Sequence, residues 1–69
     1  MSETLGEALP REMARVRDHV MPYYHEIGPA GSVALGLMRA DLDRAAKAMA
    51  EGDTVEMILV YETLRGYQA

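Results

Sequence analysis

The chain has 69 residues, no cysteine and a formal net charge of −4. This excludes disulfides, thiolate metal sites and cysteine nucleophiles, and disfavours a general nucleic-acid backbone binder, which needs Lys and Arg gathered on one face. Apolar residues make up 49% and charged residues 26%, so the chain is expected to fold as one domain rather than remain disordered.

A domain this short seldom gains more than about 3–5 kcal/mol from its own core. With disulfides excluded, oligomerisation is the expected supplement. The longest apolar run, Met57 to Tyr61, is far below the ~20 residues of a membrane span, and no basic region followed by an apolar stretch opens the chain. No membrane is expected, and cytoplasm is the default location.

In chain order, residues 1–9 read as a flexible arm. Thr4 and Glu7 have capping-box spacing, but Pro10 would disrupt a helix continuing from so short a start. Residues 10–69 are expected to form a single helical domain. The first helix, about 10–27, opens at Pro10, whose missing N–H costs nothing there. Leu9, Met13, Val16, Val20, Tyr23 and Ile27 recur at spacings of 4 and 3, one apolar stripe that places Tyr23 inward and Tyr24 at the border. Pro22 falls opposite this stripe and should bend the helix around its apolar side. Gly28 then suits a left-handed stop, and Pro29 opens the next helix.

The second helix, about 29–51, carries Gly31, Leu35, Met38, Leu42, Ala45 and Met49 at the same spacing, and Gly52 stops it. The third, about 54–65, begins after Asp53, a good N-cap with Glu56 three residues on. Met57, Val60, Tyr61, Leu64 and Tyr67 share its inner side, and Gly66 ends it. "AKAMAEGDTVEMILVYETL" resembles the helix–turn–helix of helical-hairpin repeats. That likeness implies two helices packed as a hairpin through Ala46 and Ala50.

The expected fold is therefore all-α: a small three-helix domain with a kinked first helix laid on an antiparallel hairpin. Both hairpin helices have a second apolar side, Val33 with Leu37 and Val55 with Leu59. One chain cannot cover all of it, which points to a homodimer and to docking on a protein partner.

Motifs for chemistry are sparse. Glu12, His19 and Glu26 share a helix edge seven residues apart, but that is about 10 Å between neighbours, too far for one chain to chelate a metal whose ligands sit within about 2.2 Å. No cofactor is implied, and Ser2 and Ser32 lie where capping or an arm explains them. A chain this short has little room for a core and a catalytic pocket together, so no enzyme is expected. A second reading places a ligand or metal near Tyr23, Tyr24, His19 and Glu26. Met13, Met38, Met49 and Met57 read as core fillers. Arg11, Arg15 and Arg17, diluted by Glu12 and Asp18, read as a mixed solvated face.

Overall fold

Leu5 and Leu9 are one helical turn apart, and burying Leu9 requires that turn to form. In the computed structural model, which describes residues 3–69, the first helix accordingly begins at Leu5 rather than at Pro10. The stretch read as an arm is helical from Leu5, with Ala8 and Leu9 buried; Met1 and Ser2 lie outside the described residues. The Thr4 carbonyl accepts the N–H groups of Glu7 and Ala8 at 3.0 and 2.8 Å. The Thr4 hydroxyl donates to the Glu7 carboxylate at 2.8 Å instead of capping the backbone. Pro10 is inside the helix, at an exposed position. It withholds one bond from the Gly6 carbonyl, and Gly6 is itself exposed and open to water.

All regular structure among the described residues is helical: α1 (Leu5–Arg15), a π turn (Val16–Val20), α2 (Met21–Glu26), a 3-10 turn (Gly28–Gly31), α3 (Ser32–Glu51) and α4 (Thr54–Arg65). The first three run on without a break. The π turn stands directly ahead of Pro22, and its ladder is widened: the Met21 N–H bonds to the Val16 carbonyl, five residues back. A proline at 22 has no N–H for the Asp18 carbonyl and crowds it; the wider turn absorbs that conflict by taking in one extra residue. Every later position is thereby rotated. Val16 and Val20 are buried as the stripe requires, but the inward role then passes to Met21 and the half-buried Tyr24, while Tyr23 and Ile27 are exposed. The expectation of Tyr23 inward and Tyr24 at the border is reversed.

Gly28 holds φ 73° and stops α2. Gly31 is buried for a different reason: a Cβ there would lie 2.2 Å from the Tyr24 carbonyl oxygen, so only glycine lets α3 start this close to α2. On α3, Leu35, Met38 and Ala45 are buried and Leu42 and Met49 are half-buried, as the spacing requires. Gly52 at φ 66° ends it: the Asp53 N–H reaches the Ala48 carbonyl at 2.9 Å and the Gly52 N–H reaches Met49 at 3.2 Å, a Schellman stop. The Asp53 carboxylate then accepts the Glu56 N–H at 3.1 Å and opens α4.

Leu9, Val16, Val20, Met38, Val60 and Leu64 form the fully buried centre, with Met13, Met49 and Met57 packed around it. Ala45 and Ala48 are the buried alanines of α3. Ala46 and Ala50, the residues the hairpin likeness implies, face outward instead. At 20 residues, α3 is about 30 Å long and spans most of the 36 Å long axis of the molecule. None of the described helices is long and apolar enough to cross a membrane.

Candidate functional site

Four side chains singled out for their apolar character are exposed: Val33 (75%), Leu37 (57%), Val55 (69%) and Leu59 (52%). Their relation follows from the hairpin. Arg44 of α3 pairs with Glu56 of α4 across the two helices. Leu37 is two turns before Arg44, on the same stripe of α3, and Leu59 is one turn after Glu56 on α4. Because the helices are antiparallel, both displacements lead away from the turn, by about 10 and 5 Å. Leu37 and Leu59 thus occupy neighbouring levels of one rim of the hairpin. Val33 and Val55 extend it at either end, and Ile58 is exposed beside it.

The C-terminal end of α4 and the residues after it are tied to the rest of the chain by polar contacts that the sequence did not announce. Arg15 donates through its guanidinium to the Leu64 carbonyl at 2.9 Å and holds Glu12 at 2.6 Å. A cation at the end of a helix complements its partial negative charge. Tyr67 donates to Asp41 at 2.5 Å, and Tyr24 donates to the Gln68 carbonyl at 3.2 Å. Burial, together with the bond to Asp41 and its charge, pushes the Tyr67 phenol up to about 12. The segment after α4 is therefore bound to both α2 and α3.

The residues considered for a ligand do not converge. Tyr23 and Tyr24 meet edge to face, with ring centres 5.3 Å apart at 86°, but one points to solvent and the other into the tail contact. Glu26 is exposed at the end of α2. His19 is exposed on the π turn and lines a shallow depression with Arg11, Glu12, Ala14, Arg15 and Asp18, which none of Tyr23, Tyr24 or Glu26 enters. Among the described residues, no three of His, Asp and Glu gather as a metal could use. Each arginine of the first helix has an acidic neighbour: Arg11 with Glu3, Arg15 with Glu12, Arg17 with Asp18. The hydrogen bond from Arg17 holds the Asp18 carboxyl below the usual range. This is a charge-balanced face rather than a basic one.

No family model matches the chain, and neither curated proteins nor solved structures yield a match. The rim of Val33, Leu37, Val55 and Leu59 is the surface whose exposure its own fold leaves unexplained.

Proposed function

We propose that this protein is a small association module, whose work is to join copies of itself and then to dock on a protein partner as a regulator or adaptor. The observation that carries this reading is the apolar rim. Leaving several large apolar side chains in water on a chain of this size forgoes roughly 1.5–3 kcal/mol for each that could be fully buried, a large share of what so small a core supplies. Contiguous apolar surface of this kind marks interfaces. A second copy covers it most simply, since a two-fold contact sets the same rim against itself.

Light scattering across a range of concentrations tests this. The wild-type mass should rise above one chain as concentration increases, and Leu37→Asp, at an exposed position where the fold has no use for leucine, should lower it while helicity is retained. A wild-type mass that ignores both concentration and the substitution would refute the reading.

A further inference from the structure

Half of α3 remains unaccounted for by the core and the rim. Ser32, Gly36, Arg39, Asp43, Ala46 and Ala50 recur at spacings of 4 and 3 on the side away from the core, and all six are exposed. Four charges of α3 enter no ion pair among the described residues, Arg39, Asp43, Lys47 and Glu51, and the first two lie on this stripe. Asp41 is engaged by Tyr67, and Arg44 by Glu56.

We infer that this face of α3 pairs antiparallel with the same face of another copy, in a register set by Arg39 and Asp43. With the two-fold axis passing beside Asp41, Arg39 lies level with the second copy's Asp43, and Asp43 with the second copy's Arg39. The same axis sets Gly36 against Ala46 and Ser32 against Ala50. These short side chains let the helices approach at the low end of the usual 8–10 Å, which shelters both ion pairs. Among the described residues Gly36 has nothing within 4 Å of where a Cβ would stand, so none of them requires a glycine there. The charges select the occupant. A parallel pairing would set Arg39 on Arg39, and a simply acidic or basic partner would satisfy one charge and repel the other. This contact goes beyond the rim: Leu37 projects from a different side of α3, so the two can act in one assembly.

Charge exchange tests it, in Leu37→Asp protein so that the rim contact is removed. By light scattering or sedimentation at high protein and low salt, R39D alone and D43R alone should each weaken the remaining self-association by about tenfold, and R39D with D43R together should restore it to within about twofold. Leu37, Arg39 and Asp43 are all exposed, so dilute samples should show unchanged helicity. Single reversals without effect, or a double reversal as weak as the singles, would overturn the pairing. If wild type associates but Leu37→Asp is a single chain at every concentration, the rim stands and this pairing fails. If Leu37→Asp associates as wild type does and the exchange behaves as described, the pairing stands and the rim reading fails.

Discussion

Gly31 and Gly36 stand five residues apart at the start of α3 and have opposite surroundings. At Gly31 an added methyl would collide with the Tyr24 carbonyl at 2.2 Å, backbone that cannot swing aside; Gly31→Ala should lower stability by about 1–3 kcal/mol. At Gly36 the same methyl meets nothing among the described residues, and a glycine in a helix interior costs up to about 1 kcal/mol relative to alanine. Gly36→Ala should therefore raise stability in dilute samples, and urea midpoints of the two variants should move in opposite directions. Tyr67 gives a second residue-scale test. Its proton is held more tightly in the folded chain, so the Tyr67–Asp41 contact supports the fold in full below the ordinary phenol value near 10, and that support is lost as pH rises toward about 12. Absorbance at the phenolate band should show one late ionisation near 12, and Tyr67→Phe should abolish it. The glycine at 31 was legible only as a member of an apolar stripe. Its necessity comes from the backbone of another helix, which no local pattern reports.

Helix boundaries were legible wherever their cause is local. Asp53 opens α4 with its own carboxylate, Gly52 and Gly28 stop their helices by taking positive φ, and each is read from one residue and its neighbours. Asp53→Ala should cost about 1 kcal/mol in an equilibrium denaturation. The first helix departs from expectation at its start and, midway, at the turn ahead of Pro22. Burial of Leu9 extends the helix back through Pro10. The conflict between Pro22 and the helix ladder is resolved by a π turn that shifts the apolar face by one residue. Proline on the outer side signalled a bend, but a bend and an inserted residue have the same sequence. They differ in which tyrosine faces inward, and so in where Tyr23 and Tyr24 lie relative to His19 and Glu26. Arg15 was likewise read as part of a solvated face, whereas its guanidinium reaches Leu64, forty-nine residues away in sequence.

For the molecule as a whole, the governing fact is a surplus of apolar surface over what one chain covers. The surplus was visible in the sequence because α3 and α4 each carry two apolar sides, and the fold leaves Val33, Leu37, Val55 and Leu59 outside. Mass measured by light scattering from dilute to concentrated samples, with Leu37→Asp alongside, tests this account most directly. The account predicts a wild-type mass that climbs above the 7.6 kDa of one chain and a lower mass for the variant at equal concentration. A cooperatively folded wild type that stays at 7.6 kDa throughout, indistinguishable from the variant, would contradict it.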